Sequence, residues 1–76
     1  MMKNQNKSIG EKIYLLRTGK NYDRATLADL LKVSERTIRR WERDKSKVRE
    51  SNLLKLCLLF EVSIDYFKER NENIDK

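Results

Sequence analysis

Apolar residues recur along the chain at the spacing of amphipathic helices. The first stripe follows Ser8, and Glu11 stands three residues further on, which is the pattern of a helix-capping box. The members of this stripe lie at i, i+4 and i+7 and are Ile9, Ile13 and Leu16. We therefore predict a first helix that begins after Ser8 and ends near Thr18 or Gly19.

Two further helices are predicted on either side of a short turn. Asp23 is a suitable N-cap for the second helix, whose apolar stripe consists of Leu27, Leu30 and Leu31. Lys32 and Val33 form the turn, and Ser34 caps a third helix of about residues 35–43.

The second half of the chain predicts two more helices. A fourth begins at Glu50 or Ser51, and Ser63 caps a fifth. The apolar positions of these helices are Leu53, Leu56, Cys57 and Phe60, then Ile64 and Phe67. We expect the core to be formed by Val33, Ile38, Leu53, Leu56, Phe60 and Ile64.

The chain contains no proline and two glycines, so long helices are permitted and a turn-rich β fold is disfavoured. We predict the all-α class and a compact five-helix bundle. The domain covers residues 8–70, between a flexible N-terminal tail at 1–7 and a frayed C-terminus at 71–76.

The net charge of the chain indicates which kinds of partner it can bind. Eighteen Lys and Arg residues against 12 Asp and Glu give a formal net charge of +6, which favours a polyanion such as nucleic acid or an anionic membrane. The absence of His and of any nucleophile–base pair leads us to expect no enzymatic activity, metal, cofactor or small-molecule ligand. A single cysteine and the lack of a long apolar run fit a cytoplasmic protein with no membrane span.

Most of the excess charge lies in one window. Residues 32–49 carry eight basic and three acidic side chains. At about 100° per residue, the third helix gathers its arginines within an arc of about 140°, opposite Ile38 and Trp41. We call this set, Arg36, Arg39, Arg40 and Arg43, the arginine face. Its forked guanidinium donors match guanine edges and phosphates, although a merely solvated surface is the alternative.

The stretch DRATLADLLKVSERTIRRWE, from Asp23 to Glu42, resembles the helix-turn-helix of the phage repressor and Cro-like family, also called Xre-type proteins. The resemblance extends over residues 9–67. It implies a lambda-repressor-like bundle in which the second helix positions the third, the recognition helix. The chain would then be a bacterial or phage-encoded repressor that binds a palindromic operator in double-stranded DNA as a homodimer, near the nucleoid.

The resemblance also implies the site residues. Base readers would be Glu35, Arg36, Arg39 and Arg40. Phosphate contacts would come from Arg24, Ser34, Arg43, Lys45, Ser46 and Lys47. Arg17 and Glu42 match a structural ion pair, and Leu54, Leu58 and Tyr66 are candidates for the dimer interface.

Several residues depart from the family pattern. Asn21, Lys32 and Asp44 stand where glycine is usual, which predicts a positive φ at each, at a cost of about 1 kcal/mol for Lys32. Arg24 replaces a common glutamine, and Val48 lies near a usual proline.

Three other functions compete with DNA reading. The chain could be an antirepressor or antitoxin that binds protein and merely retains the fold, but such a protein need not keep the arginine face. Binding of RNA would need exposed aromatic side chains on which bases stack, and the sequence predicts none. Binding along a membrane surface would need a longer apolar face than the third helix offers.

Overall fold

The computed structural model describes residues 7–68. The five predicted helices are confirmed, and they are α1 (Ile9–Gly19), α2 (Arg24–Leu31), α3 (Glu35–Glu42), α4 (Glu50–Phe60) and α5 (Ile64–Lys68). No strand occurs within these residues, and none of the helices is long and apolar enough to cross a membrane. Residues 1–6 of the predicted tail, residues 69–70 and the predicted frayed end at 71–76 lie outside the described residues.

Local sequence signals set the helix starts. The Ser8 hydroxyl accepts a hydrogen bond from the Glu11 amide at 3.0 Å, and the Glu11 carboxylate accepts one from the Ser8 amide at 2.9 Å, which completes the capping box. The Asp23 carboxylate accepts from the Thr26 amide at 2.8 Å, a bond that lowers the pKa of Asp23. By contrast, α4 begins at Glu50 after Arg49 without a side-chain cap.

The core lies where all five helices meet. Its completely or almost completely buried side chains include Ile13, Leu27, Leu31, Ile38, Trp41, Leu56 and Phe67. Leu30 does not belong to it, because it lies about 100° round α2 from Leu31 and is 47% exposed. The predicted core residues Val33 and Ile64 are only partly buried, at its margin. Burial also raises the pKa of the Cys57 thiol, as expected for a small apolar side chain in the core.

Among residues 7–68, four residues other than glycine adopt a positive φ. Asn21, Lys32 and Asp44 have φ values of 61°, 63° and 56°, at the three positions where the family pattern has glycine. The fourth, Glu61 at 59°, ends α4 and was not predicted. Lys32 ends α2 and has no Asn-like side chain to offset the strain, so the tight turn into α3 carries the predicted backbone cost.

Gly10 allows α1 to pass close to the end of α3. A Cβ atom added at Gly10 would lie 2.2 Å from the Trp41 carbonyl oxygen and 3.0 Å from that of Glu42. Because real Cβ atoms do not approach backbone oxygens this closely, the position requires glycine for space, although its φ is ordinary.

The first and last helices are joined by a buried lysine. Lys12 of α1 is 8% exposed, and its amine donates to the Tyr66 carbonyl oxygen at 2.7 Å. The same amine lies 5.3 Å from the centre of the Tyr66 ring, a cation–π distance. The polar Lys12 is therefore part of the packing between α1 and α5, a role that the sequence pattern did not indicate.

Candidate nucleic-acid interface

The arginine face lies on the solvent side of α3. Arg36, Arg39, Arg40 and Arg43 are all exposed. On the opposite side, Ile38 and Trp41 are 0% and 3% exposed. The helix is therefore held by its apolar side, and its four guanidinium groups project into water.

Intramolecular partners hardly neutralise this face. Arg39 lies 3.9 Å from the Glu35 carboxylate, but both side chains are about half exposed, and such pairs contribute little. Arg40 donates a hydrogen bond to the Lys45 carbonyl oxygen at 3.2 Å, which leaves its charge uncompensated. Among residues 7–68, the structure records no ion pair for Arg36 or Arg43. The face thus keeps a strong positive charge.

The short turn before α3 fixes how the helix leaves α2. Ala28 on α2 is buried, and α2 packs against α3, as a small side chain at this position permits. The Ser34 hydroxyl accepts from the Thr37 amide at 3.0 Å and also contacts the Thr37 hydroxyl at 2.9 Å. Ser34, a predicted phosphate ligand, is therefore engaged in capping α3 in this structure.

Glu42 joins three helices through one carboxylate. Arg17 of α1 contacts it twice, from Nε to Oε2 at 2.6 Å and from Nη2 to Oε1 at 3.1 Å, and Arg17 Nη1 donates to the Tyr22 carbonyl oxygen at 2.9 Å. Arg24 of α2 donates from Nε to Oε1 at 3.0 Å. The Glu42 side chain is 4% exposed, so it has no access to water that would replace these partners.

The contact between Arg24 and Glu42 was not predicted. The sequence predicts a phosphate contact for Arg24 and an ion pair of Glu42 with Arg17 alone. The structure brings Arg24 to the same carboxylate while its side chain stays 37% exposed. Arg24 therefore binds Glu42 through its Nε while its side chain remains partly exposed.

A basic loop, residues 43–49, follows the recognition helix. The predicted phosphate ligands Lys45, Ser46 and Lys47 are exposed on it. A cavity of about 500 Å³ lies beside the loop and is lined by Ile9 and residues 44–48. Within the described chain, the amides of residues 46–49 donate no hydrogen bond to another backbone group. Residues 46–49 are therefore not held by backbone hydrogen bonds of their amides, although Val48 packs against the core.

Asp44 connects this loop to the start of α1. One carboxylate oxygen accepts from the Ser8 hydroxyl at 2.7 Å, and the other accepts from the Gly10 amide at 3.1 Å. Sequence analysis assigned Asp44 only a positive φ. The residues it contacts lie 34 and 36 positions away, so no local pattern could have indicated them.

The candidate dimer residues divide into two groups. Leu54 and Leu58 on α4 are 47% and 82% exposed. Tyr66 is half-buried, with its ring 5.3 Å from that of Phe67 and the Lys12 amine above it. The two leucines are the large apolar side chains exposed on α4, α1 and α2 expose three others, and Tyr66 belongs mainly to the α1–α5 packing.

A sequence model described as helix-turn-helix matches residues 13–67, which is most of the chain. The chain belongs to the helix-turn-helix family. The match covers α2, α3 and the turn between them, so it confirms the resemblance drawn from residues 23–42.

Proteins of similar sequence are also described as helix-turn-helix regulators. The chain is 31% identical over 68 residues to an uncharacterised HTH-type transcriptional regulator of Rickettsia prowazekii, a match that covers 90% of the chain and 52% of the relative. The chain thus spans about half the length of the curated relatives it matches.

Solved structures share the fold. The c2 repressor of phage P22, determined in complex with a synthetic operator, is 31% identical with a TM-score of 0.75, and the match covers 82% of this chain and 94% of the repressor. The DNA-binding domain of SinR from Bacillus subtilis is 23% identical with a TM-score of 0.73, over 86% of this chain and 96% of that domain. The lambda-repressor-like bundle is therefore confirmed.

Proposed function

We propose that this chain binds double-stranded DNA in a sequence-specific manner and regulates transcription as a repressor in the cytoplasm of a bacterial or phage-infected cell. The observation that carries the proposal is the arginine face: four exposed guanidinium groups on one helix whose other side is buried. A rigid helix with this charge fits the major groove, and its family includes a repressor solved on its operator.

Sequence would be read from α3. Arginine donates two hydrogen bonds to the O6 and N7 atoms of guanine, which suits Arg36, Arg39 and Arg40. Glu35, at the start of the helix, can accept from the N4 amine of cytosine. We expect G·C pairs within each half-site.

Phosphates would be held on both sides of the recognition helix. Lys45, Ser46 and Lys47 lie exposed on the basic loop, and Arg43 stands at its beginning. On the other side, Ser34 and the terminal amines of Arg24 are the proposed donors, with Arg24 held in place through its Nε. Such contacts fix the register of the protein on the duplex and add affinity for any sequence.

Two copies would bind a palindromic operator. One helix reads few base pairs, and symmetric dimers place two recognition helices about 34 Å apart on one face of the duplex. Leu54 and Leu58 supply an exposed apolar surface for the second copy, with Tyr66 at most at its edge.

Selection from a random double-stranded DNA library, followed by fluorescence anisotropy at several salt concentrations, tests this function. Arg36→Lys keeps the charge but loses the forked donor, so it should weaken the selected site by about 1–3 kcal/mol and leave random DNA almost unchanged. Lys45→Ala should weaken both DNAs alike and reduce the salt slope by about one.

Lys68→Ala is the matched control. It removes one positive charge from α5, which packs on α4, and breaks an exposed pair with Glu50 at 3.2 Å. It should leave both affinities nearly unchanged. Failure of the wild-type chain to enrich any sequence would contradict the proposal and favour the antirepressor or antitoxin alternative, in which the two exposed leucines bind another protein.

A further inference from the structure

The basic loop contains one acidic residue. Residues 43–49 include Arg43, Lys45, Lys47 and Arg49, and between the first two stands Asp44. If the loop follows the phosphate backbone, a carboxylate there repels DNA and lowers affinity. Asp44 also adopts a φ of 56°, where glycine would be unstrained. Asp44 should therefore lower both DNA affinity and backbone stability unless its side chain makes compensating contacts.

The hydrogen bonds of the Asp44 side chain are these compensating contacts. Both carboxylate oxygens bind the start of α1, at the Ser8 hydroxyl and the Gly10 amide. The neighbouring backbone is fixed as well, since the Asp44 and Lys45 amides donate to the Trp41 and Arg40 carbonyl oxygens at 3.0 and 2.8 Å. Beyond Lys45 the loop borders the cavity, and backbone bonding stops until α4. Among the described residues, Asp44 therefore supplies the side-chain hydrogen bonds between the loop and α1, while Val48 packs against the core near the other end of the loop.

We propose that Asp44 is a positioning residue for DNA binding: its carboxylate holds the basic loop against the start of α1, so that Lys45, Ser46 and Lys47 reach the phosphates already ordered. The proposal rests on the proposed function. A loop that is ordered before binding loses less conformational entropy when it binds, and this gain exceeds the repulsion between one exposed carboxylate and the duplex. Asp44 itself touches no phosphate.

Charge and tether predict opposite signs for the same substitution. Asp44→Gly removes a negative charge and adopts the positive φ without strain, so electrostatics alone would strengthen DNA binding. Loss of the tether instead weakens it, by roughly three- to tenfold on selected and random DNA alike, with a salt slope smaller by about one. Asp44→Asn should weaken binding less than Asp44→Gly, because its amide oxygen can still accept from the Gly10 amide.

Two further variants separate the causes. Ser8→Ala changes no charge and removes one end of the tether together with the N-cap hydroxyl of α1. It should also weaken both DNAs, measured at a temperature at which circular dichroism shows each variant folded with the helix content of the wild type. Asp29→Asn removes an exposed negative charge from α2, and the structure records no side-chain bond for it among residues 7–68. Asp29→Asn should leave binding unchanged or slightly stronger.

A measurement without DNA completes the test. NMR relaxation of the backbone amides at 45–48 should show lower order parameters in Asp44→Gly and in Ser8→Ala than in the wild type, and unchanged ones in Asp29→Asn. Equal or tighter DNA binding by Asp44→Gly with an unaltered salt slope would overturn the proposal, as would unchanged loop order parameters. If the wild type binds no DNA, the proposed function fails, and the order parameters still show whether Asp44 holds the loop.

Discussion

Replacement of Gly10 by alanine would place a methyl group against the end of the recognition helix. The added carbon would lie 2.2 Å from the Trp41 carbonyl oxygen, about 1 Å short of an ordinary contact, and 2.7 Å from the Asp44 carboxylate. The Asp44 side chain can rotate away. The Trp41 carbonyl is part of the backbone and cannot, so α1 must move away from α3.

The magnitude follows from three contributions. Overpacking in a well-packed interior costs about 1–3 kcal/mol. Disturbance of the Asp44 contacts with Ser8 and Gly10 adds about 0.5–1.5 kcal/mol. The preference of a helix for alanine over glycine returns about 0.5–1 kcal/mol. We expect Gly10→Ala to lower the free energy of unfolding by about 1–3 kcal/mol, a large share of the stability of so small a domain.

Urea unfolding followed by Trp41 fluorescence and circular dichroism measures this change. Gly19→Ala is the matched control, because the same substitution in the same helix meets no atom within 4 Å. Gly19→Ala should leave the stability unchanged or raise it by up to about 1 kcal/mol. A Gly10→Ala variant as stable as the wild type would show that the close approach of α1 to α3 is not as described.

Three further predictions concern single residues. Glu42→Gln leaves two arginines without their shared counterion and should cost about 3 kcal/mol in urea unfolding, whereas Arg24→Ala, whose side chain is 37% exposed, should cost about 1 kcal/mol or less. Lys32→Gly should raise the thermal midpoint by relieving a φ of 63°, worth about 1 kcal/mol, and an unchanged or lower midpoint would contradict the strain. The pKa of Asp23 is lower in the folded chain than in the unfolded chain. The ionised Asp23 cap therefore stabilises the fold at pH values above the pKa of the unfolded chain, and this stability is lost as the pH falls through the pKa of the folded chain. The stability difference between wild type and Asp23→Asn, which caps without titrating, should therefore stay constant from about pH 7 to 5 and change below about pH 4, and a flat difference throughout would argue against the shift.

Features that depend on neighbours in sequence were predictable. Capping by Ser8, Asp23 and Ser34 involves amides three residues away, and the arginine face follows from helical periodicity alone. The positive φ values at Lys32 and Asp44 followed from the family pattern. These features depend on local geometry, which the order of residues specifies directly.

Contacts between polar residues far apart in sequence could not be predicted. Arg24 and Glu42 are 18 residues apart, and Lys12 and Tyr66 are 54 apart. Periodicity assigns charged residues to the surface, so a lysine or arginine that turns inward leaves no signal. The two glycines of α1 show the same limit, since Gly10 and Gly19 look alike until the neighbouring helix is in place.

The bond between Lys12 and Tyr66 makes α5 a dependent part of the domain. Five residues are too few to remain helical alone, and this helix is stabilised by packing and by an amine from the opposite end of the chain. Release of α5 would strip a buried ammonium group of its acceptor and expose Phe67. Unfolding of α5 should therefore be cooperative with unfolding of α1, so that the amide hydrogens of both helices exchange at a common rate.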